Sequence, residues 1–443
     1  MQSINGVIQW EKLPYFTILP PGGQQMLKLD EIRTHFPALA ADTIYFDNPG
    51  GTQVAQEVVQ QIEHYLLATN ANHGGEFRTS RESDATVAEA RQAVADFLNA
   101  ARPVEIVFGP NMTTLTLSIS RSLGRTLQPD DEIVVTRLDH DANVAPWLLV
   151  AEDRGCRVRW VDFREEDCTL DMADLERQIT ERTKIVAVGY ASNAVGTIND
   201  VQRAVQLAHN VGAICFIDAV QYAPHKPIDV QALDCDLLAC SAYKFFGPHL
   251  GILYGKYDLL DRLPAYKVRP ASNEPPEKFE TGTQSFEAIA GTLGAMQYFE
   301  WLGNTFGAEH AASLRKTYSG RPLILKQAMA AIAAYELELN HSLLEGLGSV
   351  PGLHMRGITS PHQLDKRVPT FSFTRDGWTP QAIAAALDKA NINVWNGNFY
   401  ALSVTERLGL EETGGLLRVG LTHYNTQEEI DRLVEALMTA TRL

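Results

Sequence analysis

The chain predicts an α/β fold: a domain built on a mostly parallel sheet, followed by a smaller α+β domain. Two observations carry this. From about residue 43, short apolar runs alternate with longer amphipathic ones, and several of the short runs are near-continuous Val, Ile and Leu, as strands covered on both faces require. Past about residue 310 the alternation gives way to one long helical stretch and then to short strands and helices.

In order, the patterns predict strands at Ile44–Asp47, Glu105–Phe108, Glu132–Thr136, Arg157–Asp162, Lys184–Gly189, Ala213–Asp218, Leu237–Ser241 and Gly251–Tyr254. Helical periods fall between them at Val87–Leu98, Thr114–Leu123, Asn143–Arg154 and Gln202–Val211. The C-terminal part predicts a helix near Pro322–Gly346, strands at Val368–Phe373, Asn393–Trp395 and Leu417–Gly420, and helices at Thr379–Ala390 and Gln427–Ala440. A length of 443 residues exceeds one ordinary core. The expected division is an extension over residues 1–28, a large domain over 29–310 and a small domain over 311–443. The opening residues of the large domain are free to pack on the small one.

A net charge of −16 repels phosphate backbones, which argues against a nucleic-acid partner. No run of roughly 18 apolar residues suggests a membrane helix. Residues 1–25 lack a charged-then-apolar leader pattern. Cys156, Cys168, Cys215, Cys235 and Cys240 show no metal or redox spacing; an odd, unframed set fits a reducing cytoplasm.

Six clusters carry chemistry. Each has a bland alternative when read alone. Gly109-Pro110-Asn111-Met112-Thr113-Thr114 joins a strand to a helix; the N–H groups at Met112 and Thr113 and the Thr113 hydroxyl make a phosphate cradle, or simply a capped helix. His140, in Asp139-His140-Asp141, can stack on an aromatic ring and move protons, or is a polar loop residue. Asn193, before Gly196, can bond a ring hydroxyl or a carboxylate, or is a turn residue. Asp218 ends an apolar strand three residues before Gln221; it can pair with a protonated ring nitrogen or cap a helix. In Ser241-Ala242-Tyr243-Lys244, a lysine in a dry strand-end loop can lose its proton and attack an aldehyde, with Ser241 and Tyr243 offering hydroxyls to a phosphate; otherwise it is a solvated loop lysine. Arg418, in Leu416-Leu417-Arg418-Val419-Gly420, can hold an α-carboxylate or form a surface ion pair. Their joint order is a phosphate loop, then stacking His, Asn, Asp with Gln, Lys and Arg. That order reads as a site for pyridoxal 5′-phosphate (PLP).

These residues resemble the class V aminotransferase family, fold type I of the PLP enzymes, and most of all its cysteine desulfurase-like branch. The likeness runs from about residue 29 through Phe36-Pro37, Tyr45-Phe46-Asp47, Phe216–Gln221, Pro227–Asp236, Ser241–Lys244 and Tyr424-Asn425-Thr426. It implies that Lys244 is the Schiff-base lysine, His140 stacks on the cofactor ring, Asp218 faces the pyridine nitrogen and Gln221 the ring hydroxyl. It further implies that Ser241 and Thr113 bind phosphate, that Arg418 holds the substrate carboxylate, and that the chain forms a homodimer in which Thr283, within Phe279–Thr283, reaches the neighbour's phosphate. Tyr243 stands where desulfurases often carry His.

One departure matters most. The branch's desulfurases carry a cysteine on a loop of the small domain; here that loop reads Trp395-Asn396-Gly397-Asn398-Phe399-Tyr400-Ala401, and no cysteine follows Cys240. Tyr400 stands near the thiol position, on the substrate side, and a phenol cannot form a persulfide. The arginine often found before the loop glycine is replaced by Trp395-Asn396. The leading expectation is therefore a lyase that eliminates a β-substituent, of the carbon–sulfur type. The alternatives are an aminotransferase, a β-decarboxylating enzyme that forms carbon–carbon bonds, an epimerase, and a non-catalytic binding protein on the same fold.

Overall fold

The computed structural model describes residues 27–440. Most of the expected extension, residues 1–28, lies outside them.

The strands are β1 (Ile44–Tyr45), β2 (Ile106–Gly109), β3 (Glu132–Thr136), β4 (Arg157–Val161), β5 (Thr183–Gly189), β6 (Ile214–Asp218), β7 (Leu237–Ser241), β8 (Gly251–Gly255), β9 (Leu353–Arg356), β10 (Thr370–Arg375), β11 (Ile392–Asn393), β12 (Trp395–Gly397) and β13 (Leu416–Gly420). Seven of them form one sheet in the order β2-β8-β7-β6-β5-β3-β4. From β7 to β4 every pair is parallel; β8 alone runs against its neighbours β7 and β2.

Alternation along the central strands explains the layers. Val134, Val186, Cys215, Ile217, Leu238 and Cys240 face one core, while Ile133, Val135, Ile185, Phe216, Leu237 and Ala239 face another. Both faces are covered, so these runs carry no polar face. At the edge, β4 carries Arg157 and Arg159, charges that discourage further strand pairing.

The four-stranded sheet β12-β13-β10-β9 is wholly antiparallel. The 29-residue helix Gly320–Gly348 links the two layers: Leu325, Met329 and Ile332 enter the core of the large sheet, whereas Leu339, Leu343 and Leu347 enter that of the small one. Two expected strands end differently. Ile44–Asp47 does not join the large sheet; β1 pairs with β11, and Asp47 bridges to Gly420. The stretch expected at Asn393–Trp395 is broken into β11 and β12, which pair with different partners. Strand β9 and the helix Phe286–Phe306 carried no signal strong enough to place them.

Candidate active site

The carboxyl ends of β2, β3, β5, β6 and β7 lie at one edge of the large sheet. They deliver Gly109, His140, Asn193, Asp218 and Lys244 into one region, where open α/β sheets gather ligands.

Lys244 sits in the turn that follows β7 and is buried; its Nζ donates to the carbonyl of Pro49. Burial, then the positive Arg418 nearby, push its pKa down to about 7, and the Asp218 carboxylate opposes this. Lys244 is thus largely a neutral nucleophile at mildly alkaline pH. Asp218 ends β6, and its Oδ1 accepts from Val220 N at 2.9 Å. Burial raises its pKa to about 6 despite that bond and the Lys244 charge.

His140 Nδ1 accepts from Ala142 N at 3.0 Å, so the neutral ring carries its proton on Nε2. Burial, with Lys244 and Arg418 adding to it, lowers the imidazole pKa to about 4. Beneath it, Asp139 Oδ1 accepts from Gly189 N at 2.5 Å, and any Cβ at Gly189 would strike that oxygen.

The helix Met112–Gly124 starts where β2 ends. Met112 N donates to Ser241 Oγ at 3.3 Å, and Asn111 Oδ1 accepts from Thr114 N at 2.8 Å. Thr113 is exposed at this helix start, which still carries free N–H character. Gly251 lets β8 approach: a Cβ there would run into the Asn111 backbone. The Tyr243 ring stacks on His249 at 5.0 Å and covers Gly51. Gln221 is buried, and its Nε2 donates to Thr370 Oγ1 at 3.1 Å, so one of its two amide N–H groups already has a protein partner.

The second sheet contributes Arg418 from the middle of β13. It is buried, not on the surface. Its Nη1 donates to the Asn193 carbonyl at 2.9 Å, and its guanidinium lies 4.2 Å from the Phe399 ring centroid. Its Nε has no partner among the described residues. Burial lowers its pKa to about 9, with Asp47 acting against this. Asn193 Nδ2 donates to the Phe399 carbonyl at 2.8 Å, and Asn193 Oδ1 is buried without a partner among the described residues. Tyr400 is 75% exposed and stacks on His140 at 5.7 Å; its carbonyl accepts from Asp141 N at 2.6 Å. Thr283 is exposed, and among the described residues no hydrogen bond ties it to this cluster.

Sequence reasoning passed over Pro49, Asp47 and Asp139. Asp47 and Pro49 arrive with the segment after β1, where Thr52 N donates to Tyr243 O at 3.1 Å. The turn Asn48-Pro49-Gly50-Gly51 was the available signal; its partner two hundred residues away was not.

The description that matches this sequence is Aminotransferase class-V, over residues 44–321 and 322–433. The chain belongs to that family. It is therefore a PLP-dependent enzyme with the corresponding fold. It is 33% identical to the aminotransferase-like protein FGM3 of Gibberella zeae, over 92% of this chain and 97% of that protein. It is 31% identical to a cysteine desulfurase of Pectobacterium atrosepticum, covering 94% and 98%. A cysteine desulfurase of Synechococcus elongatus is 32% identical over 96% of this chain, which spans 66% of that protein. Among solved structures, the apo cysteine desulfurase of Thermococcus onnurineus superposes with a TM-score of 0.82 at 27% identity, covering 94% of this chain and 98% of that one. The donor set fits PLP on its own chemistry: a buried amine of lowered pKa, a buried carboxylate, a hydroxyl at a helix N-terminus and a guanidinium whose Nε has no partner among the described residues.

Proposed function

We propose that this enzyme is a lyase that removes a β-substituent from an α-amino acid, of the carbon–sulfur type, and not a cysteine desulfurase. The observation that carries this reading is the loop at the substrate side: Phe399 and Tyr400 face Arg418 and His140 there, with no thiol. Four of the five cysteines are buried; Cys156 is half-buried and lies far along the chain from the loop. The loop itself offers no sulfur on which a persulfide could form. The aminotransferase-like relative keeps transamination as the second reading.

In this reading Lys244 would hold the cofactor covalently, Asp218 would pair with its ring nitrogen, and His140 would stack on its ring. The N–H groups of Met112 and Thr113 and the hydroxyls of Thr113, Ser241 and Tyr243 would hold the phosphate, while Gln221 and Asn193 would border the ring hydroxyl. Bound PLP supplies an electron sink for negative charge developing at the substrate Cα. Arg418 and Asn193 hold the substrate carboxylate, which orients the Cα–H bond toward Lys244. Lys244 takes the Cα proton, because its pKa near 7 matches a general base. The ammonium so formed on Lys244 returns that proton to the departing β-substituent, while His140 Nε2–H, held in that tautomer by Ala142 N, donates a hydrogen bond on the substrate side. Arg418 keeps the carboxylate bound through both proton transfers. We further read residues 29–310 and 311–443 as the two domains, a homodimer in which Thr283 reaches the partner's phosphate, and a reducing cytoplasm as the setting for five unpaired cysteines.

The test is product analysis with cysteine and related β-substituted amino acids. Elimination from cysteine releases pyruvate, ammonia and sulfide in equal amounts without added thiol. Alanine as the product, with sulfide appearing only when a reducing thiol is added, would overturn the reading. An α-keto acid that keeps the β-substituent would establish the transaminase instead.

A further inference from the structure

Three contacts close a ring beside the site. Arg418 Nη1 donates to the Asn193 carbonyl at 2.9 Å, Asn193 Nδ2 donates to the Phe399 carbonyl at 2.8 Å, and the Phe399 ring lies on the Arg418 guanidinium at 4.2 Å. Phe399 therefore touches both groups assigned above to the substrate carboxylate. One N–H of the Asn193 amide is thus held by the Phe399 carbonyl, and the Asn193 Oδ1 beside it is buried without a partner among the described residues. The seat is held against backbone preference: Phe399 and Tyr400 have φ of 57° and 58°, consecutive left-handed residues without glycine. Tyr400 is exposed, so the seat is held by the Phe399 ring, the Asn193 bond and the Asp141 N–H on the Tyr400 carbonyl.

We propose that Phe399 is a specificity-determining residue whose backbone carbonyl holds the place of a substrate carboxylate oxygen at Asn193, so that a ligand enters this subsite by exchange. This rests on the reading of Arg418 and Asn193 as the carboxylate subsite. An α-carboxylate replaces the Phe399 carbonyl at Nδ2 and takes the free Nε edge of Arg418. An amine or amide offers no anion to draw Arg418 from the ring, and is rejected. The strained turn lowers the cost of release, and the ring on Arg418 sets how strongly the subsite resists.

The experiment uses the PLP-loaded enzyme with propionate as an unreactive carboxylate, its binding followed by calorimetry. Phe399→Ala keeps the carbonyl and removes the ring, so propionate should bind about 5- to 30-fold tighter, the span of one cation–π contact from half-buried to desolvated. Phe399→Tyr should restore the wild-type affinity. Hydrogen exchange supplies a second reading: propionate should speed exchange of the Asp141 amide, which loses the Tyr400 carbonyl as the turn lifts. Unchanged or weaker binding in Phe399→Ala, or an Asp141 amide indifferent to propionate, overturns the exchange. Arg418→Ala separates the two readings. If it still binds propionate as the wild type does, the subsite itself is wrong; if it loses binding while Phe399→Ala gains nothing, the subsite stands and the exchange fails.

Discussion

The buried Nζ of Lys244 donates to the backbone carbonyl of Pro49, a residue delivered by the segment that leaves the small sheet. A carbonyl stabilises the amine without fixing a charge on it, whereas a carboxylate at that place would hold Lys244 protonated. With burial and Arg418 both disfavouring the ammonium, the pKa falls to about 7. Covalent uptake of PLP by protein stripped of cofactor should rise with pH and level off above a midpoint near 7, since only the neutral amine attacks. Arg418→Ala removes a repelling charge and should move the midpoint up; Asp218→Asn removes an attracting one and should move it down. Stopped-flow absorbance of PLP against pH measures all three, and a midpoint that stays near that of free lysine would refute the account.

Lys244→Ala should leave circular dichroism unchanged while removing the covalent cofactor band, and should lower turnover by at least roughly 10²–10⁴-fold, the usual worth of a positioned base. Retained full turnover would mean that another group moves the proton.

Asp218→Asn should still bind PLP, because Val220 N and the strand end remain in place, yet lose about 10²–10³ in kcat, as expected when a preorganised charge is removed. The assay is kcat at saturating substrate in cofactor-loaded protein. A loss of cofactor with intact kcat per bound PLP would instead assign Asp218 to binding alone.

Arg418→Met should act in opposite directions on binding and stability. Losing charged hydrogen bonds to a carboxylate should raise KM about 10–100-fold. The protein without substrate should denature at a higher urea concentration, because a buried cation with an unpartnered Nε is no longer kept from water. A fall in stability together with an unchanged KM would leave Arg418 as a structural residue.

Arg367 is the structural counterpart. It is fully buried, lies over Phe371 at 3.6 Å, and donates to the carbonyls of Ile358, Val195 and Thr370. Arg367→Lys cannot reach three divergent carbonyls and should cost about 2–4 kcal/mol by urea denaturation, through orphaned buried acceptors. A cost below that range would show that water replaces the guanidinium.

The strand ends were legible because chemistry and periodicity coincide there. Ile217-Asp218 and Ser241–Lys244 each place a polar residue directly after a fully buried run, and both do end strands of the large sheet. The β9 strand and the helix Phe286–Phe306 were not legible. The first is only half-buried and carries His and Arg, and the second is apolar almost all round, so neither shows the one-sided pattern that a sequence reveals.

The sequence by itself determined the alternation of strands and helices, the order of the candidate site residues and the missing loop thiol. These are properties of short segments, fixed by backbone period and by residue type. Only the tertiary structure decided that Ile44–Asp47 pairs with the C-terminal strands, that Gln221 gives one amide N–H to Thr370, and that Phe399 touches both Arg418 and Asn193. Such pairings join segments far apart in the chain. They depend on how two sheets meet across a shared helix, and no local pattern records that.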